Sequence, residues 1–322
     1  MRSEKLSIRS RKCFIKKVGG NRKKAVLSRV RNEVVYCAIR ELNEEKNCPI
    51  HLLCSLCKTN RSSYYKWLNR KETDQERENR GLFKEIKAIY QKVEGIYGYR
   101  RMTMNLNRKM NKHYNAKRIH RLMKLVGLQA KIRRKKKWDH RPSDNNVADN
   151  ILNREFTAAH PNEKWVTDIT ELKYGEGQKA YLSAVLDLYD NSIVSYEIGH
   201  RNDNELVFKT IKRALATATL EDEKLLIHSD RGFQYTSNGF KKIVKKKHLT
   251  HSMSRVGKCI DNGCMESFWG TLKVERYYLH HYQSFKELQK DIKNYIQFYN
   301  QDRLQAKFNG LSPIEYRTKA IA

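Results

Sequence analysis

Long apolar runs are missing from this 322-residue chain. No stretch of about 18 apolar residues occurs, which excludes an ordinary bilayer-spanning helix. The N-terminus M-R-S-E-K-L-S-I-R-S also lacks the apolar centre of a secretory signal. A cytoplasmic location with no membrane partner is expected. Sustained heptads are absent as well, so no coiled-coil zipper is predicted, and internal repeats are not evident. Cysteine number is odd, at seven, which fits free thiols in a reducing compartment rather than a disulfide framework. Cys54 and Cys57 form a C-x-x-C with Cys48 and His51 upstream. No second pair follows at finger spacing, and L-L-C-S-L-C reads as buried helix rather than as a zinc site.

Acidic residues are scarce in one half only. Residues 1–150 carry 40 Lys+Arg against 14 Asp+Glu, net +26, whereas residues 151–322 carry 26 against 21, net +5. A surplus of that size binds polyanions by neutralising phosphates and releasing counterions. Nucleic acid is the first candidate, with a ribosome-like RNA binder or a merely soluble basic surface as alternatives. An anionic membrane fits less well, because the basic residues are not confined to one amphipathic helix. The length suits two or three domains.

Residues 1–31 are basic, lack a steady apolar period and break at Gly19-Gly20, which predicts a loosely ordered arm. From Asn32 to Leu42, Val35, Ala38, Ile39 and Leu42 share one helical side. Pro49 opens a second helix with Ile50, Leu53 and Leu56. After the polar turn K-T-N-R, Ser62 is the expected cap of a third, with Tyr65, Trp67 and Leu68 supplying bulk. Residues 32–72 thus read as helix-turn-helix-like, or as an ordinary helical hairpin. A second, basic helical module spans 76–137: Leu82, Ile86 and Ile89 form one stripe, and Gly95 and Gly98 bracket a turn. A helix ending at Gly127 then holds Ile119, Leu122, Met123 and Val126 inside, with Lys117, Arg118, Arg121 and Lys124 in water. The polar stretch 138–158 is the expected linker. Beyond it the texture changes to strands at 165–174, 180–188 and 192–199, a helix at 204–216, a strand at 225–228, a helix near 237–247, a brief strand and a helical C-terminus. That order predicts an α/β domain with a mixed sheet over 159–322.

Three carboxylates in this domain are hard to explain by solubility. Asp168 lies mid-strand beside Val166 and Ile169. Asp230 follows a buried-looking strand, where loops of α/β sheets form sites. Glu266 sits in D-N-G-C-M-E-S-F-W-G-T-L-K-V-E (261–275) among Phe268, Trp269 and Leu272, and Lys273, seven residues on, points the same way on a helix. Clustered carboxylates repel one another towards protonation. Mg²⁺ removes the conflict with hard oxygen coordination, and two ions about 4 Å apart can drive an in-line phosphoryl displacement. Two Mg²⁺ ions are therefore expected, with Mn²⁺ as a substitute. Lys273 is a candidate phosphate contact.

W-V-T-D-I-T (165–170), H-S-D-R-G-F-Q-Y (228–235), residues 261–275, Y-N-Q-D-R (299–303) and G-L-S-P-I-E-Y-R (310–317) together resemble the transposases of bacterial insertion sequences of family three. These are relatives of retroviral integrases with a DDE, ribonuclease-H-like catalytic core. Upstream, S-S-Y-Y-K-W (62–67), Y-G-Y-R-R (97–101) and A-K-R-I-H-R-L-M-K-L-V-G-L (116–128) look like the family's basic helical region, and the resemblance runs from about residue 33 to 317. It implies a ribonuclease-H-like five-stranded mixed sheet flanked by helices, preceded by small helical DNA-binding modules. It also implies Asp168, Asp230 and Glu266 as the catalytic and metal-binding triad, with the family's spacing of 35 residues between the last two. Lys273 matches a basic position that contacts the element end. Arg231, Gln234 and Asn262 are candidate DNA contacts beside the acids, and Arg100, Arg101, Lys117, Arg118 and Arg121 are candidates on the helical module. His228 and Tyr235 are expected to support the acids from behind, and Asp187 is expected to be structural. The family often fuses this type of product by frameshifting to an upstream one carrying a helix-turn-helix and zipper, so that product is an expected partner beside double-stranded DNA and further copies of the chain.

The expected function is Mg²⁺-dependent cleavage at element ends and 3′-hydroxyl strand transfer into target DNA. The alternatives are a catalytically inactive DNA-binding regulator of the element and a ribonuclease-H-type nuclease on RNA–DNA hybrids.

Overall fold

A computed structural model of the chain describes residues 28–131, 151–153, 155–218, 225–255 and 259–321. Most of the arm expected over 1–31, most of the linker expected over 138–158, and the basic cluster after Lys131 lie outside the described residues. The described chain divides into two compact units at Arg80/Gly81.

The first unit holds helices α1 (Ser28–Lys46), α2 (Ile50–Leu56) and α3 (Arg61–Leu68). Their shared core is Tyr36, Ile39, Leu42, Cys48, Leu53, Cys54 and Tyr64, with Val35 and Trp67 packed on it. Two expectations change here. Asn60, not Ser62, caps α3, its side chain accepting the Ser62 N–H, because Asn60 is the last extended residue before the helical turn. The inward aromatics are Tyr64 and Trp67, while Tyr65 and Leu68 are 44% and 42% exposed. The three-residue step from Tyr64 to Trp67 keeps both on one helical face.

The second unit begins within α4 (Asp74–Lys92) and continues through α5 (Tyr99–Met110) and α6 (Ala116–Leu125). Leu82, Ile86, Tyr97, Met102, Leu106, Ile119, Leu122 and Met123 form its helical core. Val126, expected inside, is 47% exposed, because α6 ends at Leu125 and Gly127 turns the chain with φ +69°.

The sheet contains β1 (Lys164–Tyr174), β2 (Gln178–Asp187), β3 (Ile193–Gly199), β4 (Leu226–Ser229) and β5 (Thr250–Met253) in the order β3-β2-β1-β4-β5. The first three pair antiparallel, whereas β1–β4 and β4–β5 are parallel. This mixed five-stranded sheet flanked by helices is a ribonuclease-H-like fold. Strand alternation decides which residues face each layer. Val166, Leu172, Ala184 and Leu186 face α10 (Gly263–Glu275) and α11 (Phe285–Gln301), joining Met265, Phe268, Trp269, Leu272, Leu288 and Ile292. Trp165, Val185 and Ile227 face the other way, onto Val207 and Ile211 of α7 (Asn204–Thr217) and Phe240 of α9 (Asn238–Lys246). Between β4 and α9 lies the single-turn α8 (Phe233–Thr236), and α12 (Pro313–Ile321) follows α11.

The helical module of residues 81–131 packs within this same unit and is fastened to the far end of α10. Glu275, the last residue of that helix, accepts from Arg303 Nε and Nη2 at 2.8 and 2.7 Å, from Arg101 Nη1 at 3.0 Å and from the Tyr295 hydroxyl at 3.0 Å. Arg276 next to it reaches Glu94 and Asp291, and Arg108 pairs with Glu315. Burial pushes the Glu275 carboxyl up, but Arg303 and Arg101 outweigh it and hold the acid below its usual range.

Removing Glu275 strands Arg303, which is only 8% exposed. Glu275→Ala is expected to lose about 3 kcal/mol of unfolding free energy in urea at pH 7. Because the folded pKa is depressed, the contribution is present above about pH 4.5 and is lost as pH falls through the folded value. A variant as stable as wild type at pH 7 would rule out this fastening.

Candidate active site

The register of β1 against β4 brings two of the predicted acids together. Thr167 pairs with Ser229 in parallel, so the next residues, Asp168 within β1 and Asp230 just past the end of β4, stand at the same level on neighbouring chains, about 4.8 Å apart across the strands. Alternation sends Asp168 to the face covered by α10, where the Trp269 indole N–H donates to its Oδ2 at 3.1 Å. Its Oδ1 accepts the Ile169 N–H at 2.8 Å. The Asp230 carboxylate bends back to accept the Gly232 N–H at 2.9 Å. A methyl group on Gly232 would stand 3.0 Å from that oxygen, so a larger residue there would press on the Asp230 carboxylate.

Burial, the Asp230 charge and, more weakly, the Glu266 charge push the Asp168 carboxyl up to about 7. Burial also raises Asp230, opposed by its bond from Gly232. Glu266 lies in the first turn of α10 with an exposed side chain. The structure therefore gathers the three acids into one electrostatic neighbourhood, with Glu266 at its open side. Lys273 joins them: burial lowers its ammonium pKa, while Asp168 and Glu171 pull it back up.

Among the described residues no group of three or more His, Cys, Asp or Glu side chains closes tightly enough to ligate an ion. Magnesium asks for less, since one or two carboxylates with waters and phosphate oxygens complete its shell. Asp168 and Asp230 offer hard oxygens whose mutual repulsion a cation relieves, so the residues fit the expected metal.

The supporting positions are accounted for one by one. His228 is fully buried, with Nδ1 and Nε2 2.9 and 3.0 Å from the Ser252 and Ser254 hydroxyls. Burial lowers it to about 4, so it stays neutral. Tyr235 is buried, with its hydroxyl 3.1 Å from Thr167 Oγ1, directly behind Asp168. Gln234 is buried and donates to Asn202. Arg231 donates through Nε to the Ser254 carbonyl at 2.7 Å, and Asn262 donates to the Thr167 carbonyl at 3.1 Å. Asp187 is fully buried and holds Arg317 while accepting the Asn162 and Tyr189 N–H groups, a structural arrangement.

On the helical module, Arg100, Lys117 and Arg121 are exposed, and Arg118 lies over the Tyr114 ring at 5.6 Å. Arg101 differs, because its guanidinium is engaged by Glu275 and sits over Tyr97. Sequence reading missed two residues near the acids. Trp269 was grouped with the apolar face, although an indole three residues from Glu266 on a helix carries a donor that needs a partner. Phe233, three residues after Asp230 and 58% exposed, carries no periodic signal.

Known proteins bear directly on this geometry. Integrase core domain families match residues 158–259 and 266–321, and an HTH-like domain family matches 76–136. The InsK protein for insertion sequence element IS150 from Escherichia coli (strain K12) is 40% identical over 236 residues, 73% of this chain and 82% of that one. Transposase InsF for insertion sequence IS3A from the same organism is 31% identical over 280 residues, covering 85% and 95%. The chain belongs to the IS3-family transposases. It is a DDE transposase/integrase, a polynucleotidyl transferase. Among solved structures, the integrase catalytic core domain of HTLV-2 in complex with magnesium is similar to this transposase over 49% of its length and 98% of the viral chain, at 20% identity and a TM-score of 0.39. Among the described residues of the transposase no helix is long and apolar enough to cross a membrane.

The raised Asp168 pKa has a thermodynamic sign. The folded carboxyl keeps its proton to a higher pH than the unfolded one, so stability falls as pH rises from about 4 to about 7. In divalent-free buffer Asp168→Asn is expected to be more stable than wild type at pH 8 by ~2 kcal/mol, and equal to it below pH 4. Urea titrations at both pH values check this, and a difference that does not change with pH would refute the buried, repelled carboxylate.

Proposed function

We propose that Asp168, Asp230 and Glu266 are the catalytic carboxylates of this IS3-family transposase, which cleaves the ends of its element and joins the exposed 3′-hydroxyl to target DNA. The observation that supports this reading is the side-by-side placement of Asp168 on β1 and Asp230 at the end of the parallel β4, with the Glu266 charge acting on Asp168. Asp168 and Asp230 would hold one divalent ion and Glu266 would share in a second, Mg²⁺ or Mn²⁺; bound there, such ions supply activation of water or of a 3′-hydroxyl and charge neutralisation on the leaving oxygen.

The chain's own residues do the remainder. Trp269 holds one oxygen of Asp168 and the Ile169 N–H holds the other, which fixes the orientation of the carboxylate. Gly232 keeps the loop tight, so that Asp230 stays beside Asp168. Lys273, partly buried near Asp168, places a cation where a scissile phosphate brings negative charge. Arg231, Gln234 and Asn262 line the loop and helix start around the acids. Arg100, Lys117, Arg118 and Arg121 supply sequence-independent grip on duplex backbone. Two ends must be cut and joined together, so the active form is a homo-oligomer, and the upstream reading-frame product is a second partner. The setting is cytoplasmic, on the nucleoid.

With labelled element-end duplexes and Mg²⁺, wild type is expected to nick and join. Asp168→Asn, Asp230→Asn and Glu266→Gln are each expected to lose at least ~100-fold in both steps while duplex binding stays within about two-fold. Joining at wild-type rates by any one of the three removes that residue from the triad. Binding without nicking by wild type would favour the regulator.

A further inference from the structure

Glu266 stands exposed in the first turn of α10, so its distance from Asp168 depends on how that helix is seated on the sheet. Two buried side chains, one at the N-cap of α10 and one within it, bond to two successive residues of β1. Asn262, 4% exposed, donates from Nδ2 to the Thr167 carbonyl at 3.1 Å, and Trp269, 6% exposed, donates from Nε1 to Asp168 Oδ2 at 3.1 Å. They lie four residues before Glu266 and three after it. Seven residues are nearly two turns, about 10.5 Å of rise, so both face the sheet on the same side. A long helical side chain leans towards the N-terminus, which lets Trp269 reach back to the residue beside the one Asn262 holds.

The behaviour of Asn262 distinguishes this from ordinary packing. It occupies the N-cap of α10, where an Asn side chain normally accepts an N–H of the first turn. Here it makes no such bond. Its amide is turned to the strand instead, and its buried Oδ1 has no partner among the described residues. Asn262 thus directs its amide to the strand rather than to the helix cap.

We propose that Asn262 and Trp269 are positioning residues that clamp α10 to β1 on both sides of Glu266 and thereby set the reach between Glu266 and Asp168. This rests on the reading that those two acids act together on divalent ions. Asn262 acts only through the helix, since it touches the backbone of Thr167 and no acid. Trp269 acts through the helix and also by orienting the Asp168 carboxylate. Partners of this kind set ion affinity without contacting the ion, and losing one typically weakens binding ~10–100-fold.

The test is Mn²⁺ binding to the full, DNA-free chain, followed by calorimetry and by the spin-resonance signal of free Mn²⁺. Asn262→Leu keeps the volume and removes the donor, and Trp269→Phe keeps the ring and removes the donor. Each is expected to bind Mn²⁺ about ten-fold more weakly than wild type. In a Glu266→Gln background, Asn262→Leu is expected to weaken Mn²⁺ binding no further, because its effect passes through Glu266. Wild-type Mn²⁺ affinity in both variants, or an equal Asn262→Leu loss with and without Glu266, overturns the clamp. If Asn262→Leu does not fold, Trp269→Phe alone decides, and wild-type affinity in it overturns the proposal. Failure of wild type to bind Mn²⁺ in an Asp168-dependent way would instead overturn the assignment of the acids.

Discussion

Parallel pairing of β1 with β4 is the constraint on which the site depends. Antiparallel neighbours present their ends to opposite edges of a sheet, whereas parallel neighbours end at the same edge. Asp168 and Asp230 are 62 residues apart in sequence, and only the parallel register, with Thr167 opposite Ser229, makes them neighbours. Everything near them defends that register: Tyr235 props Thr167 from the far face, and His228 is locked between two serines of the strand end beyond. The crossover through α7 gives β4 its direction, since a parallel return requires a long connection.

The sheet meets this constraint by burying both of its faces. A strand carrying Trp165 to one side and Val166 to the other is sealed by helices on both, so Asp168 on that strand and Asp230 just past β4 meet a low dielectric on several sides. That is why Asp168 rises to about 7, and why a cation placed beside it would act on it more strongly than on an open surface. Layering and electrostatics are therefore linked.

Much of this architecture was legible in the residues, for identifiable reasons. Period-two alternation with Val, Ile, Tyr and Leu placed the first three strands within about two residues of their observed ends, and Gly175, Gly177 and Asn191, all at positive φ, mark the turns between them. Local chemistry that depends on a one-residue offset was harder to read. Asn60 against Ser62, and Tyr64 against Tyr65, are choices among adjacent residues of similar propensity, decided by where the first helical turn begins. The Trp269 bond and the Glu275 fastening were out of reach for a different reason. The Trp269–Asp168 and Arg101–Glu275 bonds join residues about a hundred or more positions apart, and such pairs leave no periodic trace.

Helix α10 has different business at its two ends. Its first turn carries Glu266, and its last residue is the anchor for Arg101 of the basic helical module. Thirteen residues of α-helix form a stiff rod of about 20 Å, too short to bend appreciably under thermal load. A shift of this rod along its axis would therefore carry the Arg101 anchor and the Glu266 carboxylate by the same distance, because no joint lies between them.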